Sequence, residues 1–384
     1  MKCRFLFECL FLIICFQISA FAIGVTIDDN KKASKKKITK TQQEDNLKRI
    51  VDEVVAKYIN QPSNVGLVVG LLNDTSTAFF SYGLTEVEGF EKPNKNTLFE
   101  IGSLTKPFTA LLALELERKN ILNLNDSITK HLPDSLTNEH LKKITLNNLL
   151  LHTAQLPRKP FNLSLTGGNN DNPYKNYTNQ HLQEYLNVFK PIKHKKKQSF
   201  KYSNLGYGVL GLTLQNAGNA QYEKLLNQHV IKSLNLKNTF FNIPEKKKAN
   251  LAKPHSFNGA VTENYTYSST MQASSGLYSC AEDLVTLLQK QLQSGPVNSI
   301  ATSLQKCLAP QQKTNLKRTY VTYAWNYIDR GKRLAPVYIY NGGTAGYRTY
   351  IAFVEENTTG VVVLSNSANR VDEIAVTLIQ LLNQ

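Results

Sequence analysis

Apolar residues recur at spacings of three and four through Leu47, Ile50, Val51, Val54, Val55 and Tyr58, which predicts a helix with one buried stripe. Val65–Leu72 then runs almost unbroken in apolar side chains, and Thr77–Tyr82 mixes aromatic and hydroxyl residues. Joined at Asn73-Asp74, the two predict a hairpin. Residues from about 99 to 257 read as short helical segments broken by Pro, Asn and Gly. Strand character returns at Val337–Tyr340, Tyr347–Val354 and Gly360–Ser365, an expected meander, and Val371–Leu382 closes as an amphipathic helix. Helices near both ends thus flank strands, with a helical insertion between them. The pattern predicts an α+β fold: an antiparallel sheet flanked by helices and assembled from both ends of the chain, plus a mainly helical domain.

The expected division is a sheet domain at 45–98 and 258–384, a helical domain at 99–257, and a site between the two. Residues 23–44 are polar and lysine-rich and read as a flexible basic leader. Ahead of it, Lys2 and Arg4 precede an apolar stretch through Leu10–Ile14, and Ala20-Phe21-Ala22 supplies a small-x-small cleavage site. Residues 1–22 therefore read as an export signal, and the expected location is periplasmic or secreted. A retained anchor is the competing reading, but the apolar part is shorter than the ~20 residues of a membrane span and contains Glu8 and Gln17. Cys15 follows Leu12-Ile13-Ile14, without the small residues expected before a lipidated cysteine.

Cleavage would remove Cys3, Cys9 and Cys15 and leave Cys280 and Cys307. An oxidising compartment would permit a bridge between them, contributing about 3 to 4 kcal/mol if unstrained, and the sequence leaves that open. The formal charge of +16 is concentrated in runs such as Lys31–Lys37 (KKASKKK) and His194–Lys197 (HKKK). Neither run has interleaved aromatics, and no nucleic-acid module is recognisable, so nucleic acid is not an expected partner. The simplest reading is a solvated basic surface; for an exported protein, the candidate acidic neighbours are cell-wall polymers such as peptidoglycan and anionic lipid headgroups. The seven histidines form no His-x-His pair and no cysteine or carboxylate cluster has ligand spacing, so neither a metal nor a cofactor is expected.

Three motifs carry candidate chemistry. In Phe99-Glu100-Ile101-Gly102-Ser103-Leu104-Thr105-Lys106, Ser103 and Lys106 stand three apart near a helix start, on one face. An unprotonated lysine there can take a serine proton, and free N–H groups of the first turn can stabilise an oxyanion. Pro107 complicates this, because proline disfavours helical geometry at Lys106 and removes a donor. In Lys201-Tyr202-Ser203-Asn204, a tyrosine next to a lysine cation can shuttle protons and an asparagine amide can bind a substrate carbonyl. In Tyr340-Asn341-Gly342-Gly343-Thr344-Ala345-Gly346-Tyr347, glycines allow a strand edge to approach a ligand closely, and the Gly343 N–H is a second candidate oxyanion donor.

In this order and at these separations, the motifs resemble the active site of serine β-lactamases and penicillin-binding proteins, in the class C β-lactamase branch with its D-alanyl-D-alanine peptidase and esterase relatives. The resemblance runs from about residue 45 to the C-terminus. Secondary marks are Thr97-Leu98-Phe99, Leu149-Leu150-Leu151-His152-Thr153-Ala154 with Leu156-Pro157, and Arg370-Val371-Asp372. It implies that Ser103 is acylated, that Lys106 and Tyr202 share acid and base work, that Asn204 orients the substrate amide, and that the N–H groups of Ser103 and Gly343 form the oxyanion hole. Tyr340, Asn341, Gly342 and Gly343 would line the substrate. Arg370, with Arg348 as second candidate, would face a substrate carboxylate.

Two departures stand out. Tyr340 occupies a position where class C β-lactamases have lysine and several relatives have histidine, and Gln155 occupies one where relatives usually have glycine. The implied function is a monomeric, exported β-lactam hydrolase. The alternatives are a D-alanyl-D-alanine carboxypeptidase, endopeptidase or esterase, and a penicillin-binding sensor that acylates without turnover.

Overall fold

The computed structural model describes residues 40–384 apart from 170–171, 192–198, 268 and 294. Residues 1–22, expected to be an export signal, the Lys31–Lys37 run and His194–Lys197 lie outside the described residues. Helix α1 (Lys40–Ile59) opens the described chain, and residues from Ile50 onward form one compact unit in which Val51, Val55 and Tyr58 are buried.

The main sheet has eight strands: β1 (Gly66–Asn73), β2 (Ser76–Gly83), β5 (Gln312–Lys313), β6 (Thr319–Val321), β7 (Asn326–Ile328), β8 (Val337–Gly343), β9 (Arg348–Val354) and β10 (Thr359–Ser365). All neighbours are antiparallel, in the order β2-β1-β10-β9-β8-β7-β6-β5. The two chain ends meet in the register Leu67↔Ser365 through Asn73↔Thr359. β1 and β10 read as continuous apolar runs because both of their faces are covered. Helices α8 (Ala281–Leu292) and α10 (Asp372–Leu381) supply packing against them. The hairpin departs slightly from expectation: β1 extends through Asn73, and the turn is Asp74-Thr75, with Asp74 at a φ of 54°. Strands β5 to β7 carry too few residues to show a period-two pattern, so the sequence reading missed them.

The remaining helices are α2 (Thr105–Arg118), α3 (Leu146–Leu150), α4 (Asn179–Val188), α5 (Asn204–Ala217), α6 (Tyr222–Leu226), α7 (Ser269–Ser275) and α9 (Ile300–Lys306). α2 is buried without interruption from Thr105 to Leu116, which makes it a central element rather than an amphipathic surface helix. Pro107 is accommodated because it lies in the first turn, where a missing N–H leaves no intrahelical bond broken. α7 falls in the stretch read as sheet domain, yet it packs on α5. A Cβ at Gly208 would lie 2.8 Å from Met271 Sδ and one at Gly211 would lie 2.5 Å from Ala273 Cβ.

The sheet meets the helical half where β8 passes the turn ahead of α2. A short ribbon of β3 (Phe99–Glu100) and β4 (Tyr278–Ser279) holds that turn, and Thr349 Oγ1 donates to the Ile101 carbonyl at 3.1 Å. A Cβ on Gly342 would collide with the Ile101 carbonyl oxygen, and one on Gly102, at a φ of 50°, would lie 2.7 Å from Gly343 N. Cys280 and Cys307 are both free and buried, so the bridge left open by the sequence is not formed. Burial pushes the Cys280 thiol up to about 12 and raises Cys307 as well.

Two substitutions test these contacts. Gly342→Ala is expected to cost about 1–3 kcal/mol by forcing β8 away from Ile101. Gln155 holds a φ of 62°, and both of its amide atoms are buried with no hydrogen-bond partner. Gln155→Gly is therefore expected to raise stability by about 1 kcal/mol. Denaturant midpoints at constant m-value measure both.

Candidate active site

Ser103 sits half-buried in the 3-10 turn Gly102–Leu104, at the mouth of α2. One turn on, Lys106 is fully buried. Its ammonium donates to Ser103 Oγ at 3.3 Å, to Asn204 Oδ1 at 2.9 Å and to the Ser274 carbonyl at 2.8 Å. Three donors meet three acceptors, which satisfies the cation. The Tyr202 O–H donates to Ser103 Oγ at 2.9 Å, and Lys106 Nζ lies 4.9 Å from the centre of the Tyr202 ring. Thus α2, the loop before α5, α5 itself and α7 each deliver a group to one point.

The loop carrying Tyr202 is fixed by residues 152–158. His152 O accepts from Lys201 N at 2.8 Å, and its Nδ1 accepts from Ser203 N at 3.1 Å. Pro157 O accepts from Ser203 Oγ at 2.6 Å, and Arg158 O accepts from Asn204 N at 3.2 Å. Ser203 also caps α5 by accepting from Gly206 N at 2.8 Å. The His152 ring lies 4.6 Å from that of Tyr202. Burial holds His152 well below the usual imidazole range, with Lys106 and Arg158 adding to the effect. It therefore stays neutral and accepts at Nδ1. The His-Thr-Ala and Leu-Pro stretch is thus a splint for the tyrosine.

Burial lowers Lys106, a shift opposed by neighbouring Tyr202. For Tyr202 burial acts upward, yet the Lys106 charge, the bonds to Lys106 and Ser103, and Arg158 together bring the phenol below its ordinary value. Tyr340 is buried against the same side: it lines one crevice with Tyr202, Tyr207 and His152. Burial and then Tyr202 raise its phenol, so it remains neutral.

Gly343 is exposed at the end of β8 and abuts Gly102, the residue before Ser103. Gly342 is buried and serves the close approach to Ile101; Asn341 is exposed. Arg348 pairs with Gly343 in the β8–β9 register and donates to the Thr344 carbonyl at 2.6 Å and the Tyr347 carbonyl at 2.7 Å. Arg370 is 72% exposed and donates to Asp372 at 3.1 Å and 3.2 Å. Ser103, Lys106, Tyr202 and Asn204 are thus brought together, with Gly343 beside them, whereas Arg370 is engaged by Asp372.

Sequence reasoning missed three groups here: Arg158, Ser274 and Glu100. Glu100 is buried three residues before Ser103, where Oε1 accepts from Asn264 Nδ2 at 2.9 Å and Tyr265 N at 2.7 Å, while Oε2 has no partner. Among the described residues no group of His, Cys, Asp and Glu is placed to hold a metal ion, and no helix is long and apolar enough to cross a membrane.

A serine bonded to a tyrosine, a buried lysine in contact with both, and an exposed glycine at a strand end against the serine's turn fit a serine hydrolase of the β-lactamase/transpeptidase-like fold. The chain belongs to the beta-lactamase family, whose model matches residues 49–384. A beta-lactamase of Yersinia enterocolitica is 23% identical over 349 residues, covering 83% of this chain and 86% of that one. The class C beta-lactamase of Rhodobacter sphaeroides superposes with a TM-score of 0.74 at 22% identity, over 86% of this chain and 98% of that one. A D-alanine carboxypeptidase of Burkholderia cenocepacia superposes with a TM-score of 0.76 at 22% identity, over 88% of this chain and 99% of that one.

Burial raises the Glu100 carboxyl from 4.5 to about 7, with its hydrogen bonds offsetting part of the effect. Its folded-state pKa lies above the unfolded one, so the folded protein binds the extra proton between these values. Stability held below pH 4.5 is therefore lost as pH rises to about 7, by about 3 kcal/mol. Glu100→Gln is expected to flatten that decline, as read from denaturant midpoints across the pH range.

Proposed function

We propose that this chain is an exported serine hydrolase that opens β-lactams through an acyl-enzyme at Ser103. The observation that carries the reading is the convergence of Lys106 Nζ and Tyr202 Oη on Ser103 Oγ, at 3.3 Å and 2.9 Å. Lys106 has an acceptor for each ammonium proton, so it acts as the buried cation that favours a Tyr202 phenolate. With Tyr202 ionised, the same contact to Ser103 carries the serine proton to the phenolate oxygen as Oγ attacks the lactam carbonyl. Developing charge on the carbonyl oxygen is met by the N–H groups of Ser103 and Gly343. The proton held by Tyr202 then passes to the departing lactam nitrogen, leaving the acyl group on Ser103. Asn204, anchored by Lys106, orients the acyl-side amide. Water completes the cycle by reversing the proton path. Export rests on the reading of residues 1–22.

A D-alanyl-D-alanine carboxypeptidase is the second reading, favoured by the neutral, buried Tyr340 in place of a cation. Loss of that cation weakens electrostatic help to the tyrosine and to a β-lactam carboxylate. Nitrocefin absorbance and intact-protein mass spectrometry with a fluorescent penicillin separate the two. Steady nitrocefin turnover without a lasting adduct supports the β-lactamase; a stable adduct together with release of D-alanine from a D-alanyl-D-alanine peptide supports the peptidase. In either case Ser103→Ala is expected to abolish turnover and adduct, and Tyr202→Phe to lower kcat by about 10²–10⁴.

A further inference from the structure

The two arginines expected to face a substrate carboxylate are already committed. Arg348 spends its guanidinium on the carbonyls of Thr344 and Tyr347, and Arg370 is engaged with Asp372. Arg158 differs. Its guanidinium carbon lies 5.1 Å from the centre of the Tyr202 ring, and its side chain is exposed. Its backbone carbonyl accepts from Asn204 N at 3.2 Å and Leu205 N at 3.3 Å, so the cation is tied to the backbone that presents both Tyr202 and Asn204. Lys159 follows directly, also exposed, and the pair is bracketed by Pro157 and Pro160. Among the described residues neither forms an ion pair with an acid.

We propose that Arg158, with Lys159 beside it, forms an anion-binding subsite at the mouth of the Ser103 site that selects acyl donors carrying a free carboxylate. Two adjacent cations held without a counter-charge repel each other, and a substrate carboxylate relieves that repulsion while forming charge-assisted hydrogen bonds. Burial and then Arg158 lower the Lys159 ammonium, consistent with that repulsion. The subsite lies on the Tyr202 and Asn204 side of the nucleophile and supplies positive charge that Tyr340 does not. Stacked over the Tyr202 ring, the guanidinium keeps its N–H edges free for a carboxylate.

The inference rests on Ser103 being the acylated nucleophile, and its test uses esters so that it stands apart from β-lactam turnover. Mono-(4-nitrophenyl) glutarate and 4-nitrophenyl valerate share an acyl chain length and differ in a terminal carboxylate against a methyl. The wild-type protein is expected to show a higher kcat/KM for the glutarate. Arg158→Met is expected to lower the glutarate-to-valerate ratio about tenfold, Lys159→Met to lower it less, and Arg158→Lys to keep most of it. Because the same Ser103 attacks both esters, the ratio cancels changes in nucleophile reactivity and in folded fraction. A wild-type ratio near one, or a ratio unchanged in Arg158→Met, overturns the subsite. A chain that cleaves both esters but not nitrocefin loses the β-lactam reading and keeps this test. A chain that cleaves neither ester loses the subsite, while the role of Ser103 is decided separately by nitrocefin turnover and the penicillin adduct.

Discussion

The burial of one ammonium group organises this molecule. Lys106 has no exposed surface, and taking an isolated cation out of water costs many kcal/mol unless it is paired and hydrogen-bonded. The protein offsets that cost with an asparagine oxygen from α5, a backbone carbonyl from α7 and the serine hydroxyl of its own turn. Each acceptor comes from a different segment, so the cation can be satisfied only when α2, α5 and α7 are mutually docked. The close approach at Gly208 and Gly211 serves that docking. What stabilises the buried charge also sets the chemistry, because the same ammonium draws the Tyr202 phenol down against the effect of burial.

The second constraint is steric. The N–H groups proposed as oxyanion donors come from two parts of the chain, the turn before α2 and the end of β8. They can lie side by side only if nothing protrudes between the strands and the turn. Gly102 and Gly342 provide that clearance, one by tolerating a left-handed φ and the other by leaving room for a carbonyl. Thr349 then bonds the same Ile101 carbonyl and locks the approach. The sheet is therefore more than a scaffold: its β8 edge is one wall of the site.

The parts of this arrangement that were legible in the sequence were those with a local signature. Ser103 and Lys106 share one helical turn, Tyr202 and Asn204 flank the residue that caps α5, and the β8–β10 meander carries long apolar runs. Strands β5 to β7 were illegible because their pairing depends on the neighbouring β8 rather than on their own side-chain pattern. Ser274 was illegible for a different reason, since it acts through a backbone carbonyl that any residue could supply. Arg158 was read past because exposed cations are common, and only the fold reveals that this one lies over the tyrosine. The Leu-His-Thr-Ala stretch was seen as a mark of resemblance, but its job as a splint for the 201–205 loop is visible only in the hydrogen bonds.

A neutral Tyr340, at the position where the resemblance to class C β-lactamases implies a lysine, fits this distribution of charge. A lysine there would add a further positive group to a crevice already bordered by Tyr202 and His152, with Lys106 and Arg158 both close to the tyrosine ring. Each added cation lowers Tyr202 further, but it also raises the cost of keeping Lys106 charged, since like charges in a water-poor site repel strongly. A neutral phenol at Tyr340 relaxes that repulsion while Arg158, at the solvent edge, retains an attraction for anions at smaller desolvation cost. If Arg158 binds anions as proposed, the positive charge at the mouth of the site lies on the helical wall rather than on the β8 wall. On that proposal Ser103, Lys106 and Tyr202 keep their places, and the charge bears on a different part of the substrate.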